Sequence, residues 1–185
     1  AEMSTTPQPL NEHGIEAQQA EIKSRLAAAR KPIHANNMRL VSDGLWTIPP
    51  SGETAREYLT DSIEDGGLTI ATNMSDSTRY HAMGNTETPT SERLEASHVS
   101  LETDTVMPES LITSIQPHYQ VPNPEALPSY FRYAVRLAGP LLALGVNSPF
   151  FPPSLYDDDV SAQTVINDAW MSHRIKVFET SLNTD

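Results

Sequence analysis

Three polar side chains, Gln116, His118 and Gln120, alternate along the chain with Pro117, Tyr119 and Val121. On an extended strand this pattern turns the polar set to one face and the apolar set to the other. A histidine between two amides is chemically useful, because imidazole changes charge near neutral pH and serves as acid, base or metal ligand. The amides add both donors and acceptors. An isolated structural histidine is the ordinary alternative, and spacing alone leaves both open.

Two arginines, Arg79 and Arg174, are candidates for gripping phosphate or carboxylate, since a guanidinium presents two parallel donors. Arg79 lies near His81 and Asn85, but on a helix residues two apart diverge by about 200°. A local structural role therefore competes with ligand binding there. Glu102 and Glu179 are candidate metal ligands, and Asn147 is a candidate substrate contact or helix cap. Arg174 and Glu179 serve equally well as members of surface ion pairs. The run Asp157-Asp158-Asp159 lacks the glycine and terminal glutamate of a calcium loop and reads as a solvated loop or helix start.

These residues need elements to hold them. Following a Pro122-Asn123-Pro124 turn comes the most apolar run, in which Phe131, Val135, Leu137, Leu141, Leu142, Leu144 and Val146 cover more than one side of a helix. That predicts a core helix, stopped where Pro149 disfavours helical geometry at Ser148. Val99 and Leu101 alternate with His98, Ser100 and Glu102, which predicts a strand over 97–106 that pairs with the one carrying His118. The alternative for that pair is an ordinary half-exposed antiparallel sheet.

Elsewhere, Asn11 caps a helix predicted over 12–30, with Pro32 just beyond its end. Short strands are expected at 45–48 and 68–73, with a helix at 51–62 and a short helix or turn at 78–85. A polar connection is expected over 87–96, and a helix over 161–181 packs on the core helix. Residues 1–185 read as one partial domain, with residues 1–11 a polar, mobile N-terminal segment. The expected fold class is α+β, an antiparallel sheet backed by helices.

The strand with His118, followed by Pro140-Leu141-Leu142-Ala143-Leu144 and Asn147-Ser148-Pro149-Phe150, resembles the second glutamate-cysteine ligase family of carboxylate-amine ligases. The resemblance is tightest over 113–151 and extends over 43–179. It implies part of a glutamine synthetase-like catalytic domain that binds ATP and Mg²⁺ on a curved antiparallel sheet. Such enzymes activate the side-chain carboxylate of glutamate as an acyl phosphate, and an amine such as cysteine displaces phosphate.

By that resemblance His118 and Gln116 become catalytic candidates. Gln120, Arg79, Asn147 and Arg174 become substrate-binding ones, and Glu102 and Glu179 metal ligands. One departure stands out. Members of that family open with a strand of paired acids, and Gly14-Ile15-Glu16 does not supply it, because the next acid is Glu21 and the surroundings are helical. The chain thus reads as part of a ligase, or as a noncatalytic binding or assembly domain that keeps the ligase sheet.

Composition narrows the remaining classes. The 185 residues carry a net charge of −12, with 24 acidic against 12 basic side chains and only Lys23, Lys31 and Lys176 as lysines. Backbone binding to nucleic acid requires clustered cations, so no nucleic-acid partner is expected. An acidic surface of this kind stays hydrated in concentrated salt. With no cysteine there is no disulfide framework or thiolate chemistry. No apolar run is long enough to span a bilayer and no signal peptide is seen, so no membrane partner and a cytoplasmic location are expected. The surface leaves room for a homo-oligomer. Phosphate-loop, dinucleotide, serine-hydrolase and zinc-protease signatures are all missing.

Overall fold

The computed structural model describes residues 3–85 and 92–181. Residues 1–42 form one compact unit and residues 43–185 another.

The first unit is built on α1 (Glu12–Ala35), whose N-cap Asn11 accepts the Gly14 N–H at 2.8 Å. The helix runs past its expected end and contains Pro32 in its final turns. It closes where Asn36 donates its side-chain amide to the Pro32 carbonyl and Asn37 takes a left-handed φ of 56°. A left-handed residue just past the last turn is a common helix stop, and asparagine tolerates it. Two residues of the preceding segment, Thr5 and Thr6, bond to the helix. The backbone N–H of Thr6 donates to the Glu21 carboxylate at 3.1 Å, and Gln18 donates to the Thr5 hydroxyl. The Thr6 hydroxyl, followed by the Arg25 guanidinium, holds the Glu21 carboxyl below the usual carboxylate range.

The second unit is organised by two antiparallel hairpins and the helices against them. After α2 (Ala55–Thr60), strands β1 (Ser62–Asp65) and β2 (Leu68–Ala71) pair with Asp65 opposite Leu68. Gly66 and Gly67 both take positive φ, 58° and 83°, as a two-residue hairpin turn with two left-handed positions requires. Following α3 (Thr78–Gly84), β3 (Glu92–Ala96) pairs with β4 (Val99–Thr103). Their turn places His98 at φ 62°, a conformation histidine adopts more readily than most side chains. His98 Nε2 lies 2.8 Å from Asp168 Oδ2, which ties this turn to α5 (Ala162–Asp168).

One hydrophobic core joins these parts. Leu45, Leu59, Leu94, Leu101, Leu111, Phe151, Leu155 and Val177 are fully or almost fully buried, with Trp46 and Tyr58 packed against them. Helix α6 (Arg174–Ser181) lies on β3, and α2 packs on the 3-10 turn Pro153–Leu155. The start of α2 is fixed twice. Thr54 and Glu57 form a reciprocal capping box, and the Ala55 N–H donates to Ser154 Oγ at 2.9 Å.

The α+β class stands, with α3 and the buried face of β4 where the sequence put them. Several details differ. There is no broad curved sheet among the described residues, only two two-stranded ones. Residues 113–121 form no strand, so β4 pairs with β3 instead of the segment bearing His118. Part of the expected polar connection is thus β3, and residues 87–91 lie outside the described residues. At 45–48 only Leu45 bridges, to Ile112. The helix expected over 161–181 is two, α5 and α6, because Ser172 between them forms a parallel bridge with Ser148.

The largest difference concerns α4 (Leu127–Gly145), the predicted core helix. It forms where expected, running through Pro140, yet none of its residues is buried. Among the described residues its main neighbouring element is the preceding 3-10 turn Pro124–Ala126. No helix among the described residues is long and apolar enough to cross a membrane.

Candidate functional site

Four stretches far apart in sequence meet at the base of α4. Gly44 lies against Asn147 and Ser148 so closely that a Cβ would fall 2.2 Å from Asn147 Oδ1 and 2.4 Å from Ser148 Oγ. Glycine is needed there for approach, not for backbone freedom. The Gly44 carbonyl accepts the Thr113 N–H at 3.1 Å, and its own N–H donates to Asp43 Oδ1 at 2.8 Å. Ser148 Oγ donates to Asn147 Oδ1 at 3.0 Å. Its backbone exchanges bonds with the α5–α6 connection, Ser148 N–H to the Met171 carbonyl and His173 N–H to the Ser148 carbonyl.

Arg174 completes this junction. Its Nη1 donates to the Thr113 carbonyl at 3.2 Å and its Nη2 to the Gly145 carbonyl at 2.6 Å. The Nε atom is buried and has no hydrogen-bond partner, and the Ser172 hydroxyl beside it in sequence is in the same condition. Buried donors without partners are costly, so a polar junction of this kind is poised to accept a ligand oxygen or a water.

Behind the junction His173 is 2% exposed, its ring 4.7 Å from that of Phe151. Burial pushes its pKa below the ordinary histidine range, opposed in part by the Pro149 carbonyl. Its Nε2 accepts the Trp170 N–H at 3.4 Å, the role of a neutral ring. The Tyr156 hydroxyl accepts the Phe151 N–H at 3.1 Å, and burial pushes that phenol up, a shift this bond offsets in part.

The residues singled out in the sequence fall into separate places. Asn147 and Arg174 meet at the junction. Gln116, His118 and Gln120 lie on the exposed irregular stretch that leaves it, where Gln116 Nε2 reaches only Ser114 Oγ, at 3.4 Å. They do not face a sheet cavity. The alternation of Pro117, Tyr119 and Val121 lacks a partner strand, and an unpaired segment has no face to bury.

Arg79 opens α3 with its guanidinium 5.1 Å from the Tyr80 ring centroid, a local contact. Neighbouring His81 has its Nε2 3.4 Å from Asp76 Oδ1. Glu102 is exposed on β4 opposite Arg93, and Glu179 on α6 accepts from Lys176 Nζ at 2.7 Å. Among the described residues no group of three or more His, Asp or Glu is placed to hold a metal ion. The two candidate metal acids therefore do not make a divalent-cation site by themselves.

Gly44, Ser148, Ser172 and His173 were not read as site residues. The signal available was the pairing of two short polar motifs, Asn147-Ser148 and Ser172-His173-Arg174, both flanking apolar helical runs.

A search of curated proteins and one of solved structures gave no match. The family model described as glutamate-cysteine ligase family 2 (GCS2) matches residues 1–185, the whole chain.

Proposed function

We propose that this chain, which belongs to glutamate-cysteine ligase family 2, takes part in the ATP-dependent joining of the side-chain carboxylate of glutamate to an amine, with cysteine the leading acceptor. Membership carries the coarser statement, a carboxylate–amine ligase type of function. The finer one, an acyl phosphate displaced by the amine, draws its support from the junction at the base of α4. There Asn147 lies against Gly44, and Arg174, whose Nε is unpartnered, bonds to Thr113 and Gly145 of the same junction.

Such a reaction gains most from fixed donors aimed at a developing negative charge and from exact positioning of the two substrates. Arg174 and the Ser172 hydroxyl supply unpaired donors at the junction. Asn147 holds Ser148 in place and contributes a side-chain amide as a substrate contact. The stretch above brings His118 and Gln116 as proton-transfer and polarising groups, and Gln120 as a further substrate contact. Arg79 is assigned a substrate carboxylate or phosphate at longer range.

ATP and Mg²⁺ are the expected cosubstrate and metal. Glu102 and Glu179, placed on separate elements with no third acid beside either, do not fit a Mg²⁺ site as a pair, and no step is assigned to the metal here.

The same observation favours a second reading, a noncatalytic binding or assembly domain. Calorimetry and ADP release separate the two. Incubation of the chain with Mg-ATP, glutamate and cysteine should release ADP only when all are present, and Gln116→Ala with His118→Ala should abolish it. Full activity in the double variant would remove these two from the site. Neither binding of Mg-ATP nor ADP release would leave the assembly reading.

A further inference from the structure

Within the second unit, residues 114–144 form an excursion between Thr113 and Gly145. Among the described residues, the side-chain hydrogen bonds of the intervening segment stay within it: Gln116 to Ser114, the Ala126 N–H to Asn123, and Arg132 to the Pro128 carbonyl. Its helix buries no residue. At the two ends the situation reverses. Thr113 is fastened to Gly44, and Ser148 is bridged to Ser172.

Arg174 hydrogen-bonds to both ends at once. One guanidinium spans 61 residues of sequence to the Thr113 carbonyl and 29 to that of Gly145. The Gly145 carbonyl is among the last of α4, where intrahelical donors have run out, and α4 has no basic residue in its own last turn. Arg174 thus supplies from another helix the cation and donor that a helix C-terminus favours.

We propose that Arg174 is a positioning residue that closes the base of an arm, residues 114–144, and so fixes the direction in which Gln116, His118 and Gln120 are presented. The planar fork is essential to this. Its two outer nitrogens are held at a fixed separation and angle, so one carbonyl cannot shift without the other. An ammonium on a flexible stem satisfies one carbonyl and leaves the second free. The role is independent of the ligase reading, because it concerns the arm's aim and not what the arm binds.

The chain has no cysteine, so paired labels can be placed cleanly. Spin labels at Tyr133→Cys on the exposed arm and Arg56→Cys on α2 report the arm-to-body distance, and labels at Arg56→Cys and Asp158→Cys report the body alone. With Arg174 present, the arm-to-body distribution should be narrow. Arg174→Ala should broaden it at least twofold while the body pair stays unchanged, and Arg174→Lys should broaden it nearly as much, since charge alone does not restore the fork. An arm distribution as narrow in Arg174→Ala as in the parent overturns the proposal, and so does full restoration by lysine. If alanine loosens the body pair as well, the lysine variant decides, because broadening confined to its arm pair supports the clamp and equal broadening of both pairs refutes it.

Discussion

Leu101 and Leu144 are the same residue type, each in a regular element and each in an apolar pattern, yet Leu101 is 1% exposed and Leu144 is 86% exposed. Leu101 lies on β4 beneath α2, with Leu94 opposite it on β3. Leu144 lies in the last turn of α4, a helix that buries none of its residues. The body and the arm thus show that periodicity reports what kind of element forms, while burial depends on a counter-surface supplied from elsewhere.

The comparison is broken most severely by truncating one leucine in each place. Leu101→Ala should cost about 2–5 kcal/mol, the usual range for a buried leucine that leaves a cavity, and Leu144→Ala less than about 0.5 kcal/mol. Urea denaturation of both variants measures the contrast. Equal losses would mean that α4 is packed after all.

The junction between the two regions is probed by Gly44→Ala. Its new methyl meets Asn147 Oδ1 and Ser148 Oγ at separations no real contact shows, so a cost of about 1–3 kcal/mol is expected. A neutral result would show that both side chains swing away without loss.

A smaller effect sharpens the role of the buried imidazole. His173 has its pKa lowered in the folded chain, so between the unfolded value of 6.5 and that lower one the unfolded state binds a proton that the folded state refuses. Stability should be constant above about pH 6.5 and fall as pH drops below it. The slope over that window should shrink in His173→Gln. An unchanged slope would place its origin in other groups. At the smallest scale, Thr54→Ala removes the capping box of α2 and should cost about 1 kcal/mol, measured as a drop in Tm.

How much was legible follows the same division. Local chemistry was readable: Asn11 as a cap, and Val99 with Leu101 as one face of a strand. What depended on distant partners was not. The alternation around His118 carries the period of a strand without a neighbour to pair with, and Pro117 within it lacks an N–H to donate. The spacing from Val165 to Phe178 suits one helix, but the Ser148 bridge to Ser172 divides it. In the site, Asn147 and Arg174 were found as residue types suited to ligands. Their meeting through Gly44, Thr113 and Gly145 is a product of the tertiary fold, and sequence separation hid it.

Hydrogen exchange followed along the chain, with and without Mg-ATP and glutamate together, tests most directly whether the junction is where ligand is received. The account predicts slowed exchange at 145–151 and 172–175 on ligand addition, with β3 and β4 unchanged. Protection that appears elsewhere and leaves both of those stretches untouched would contradict it.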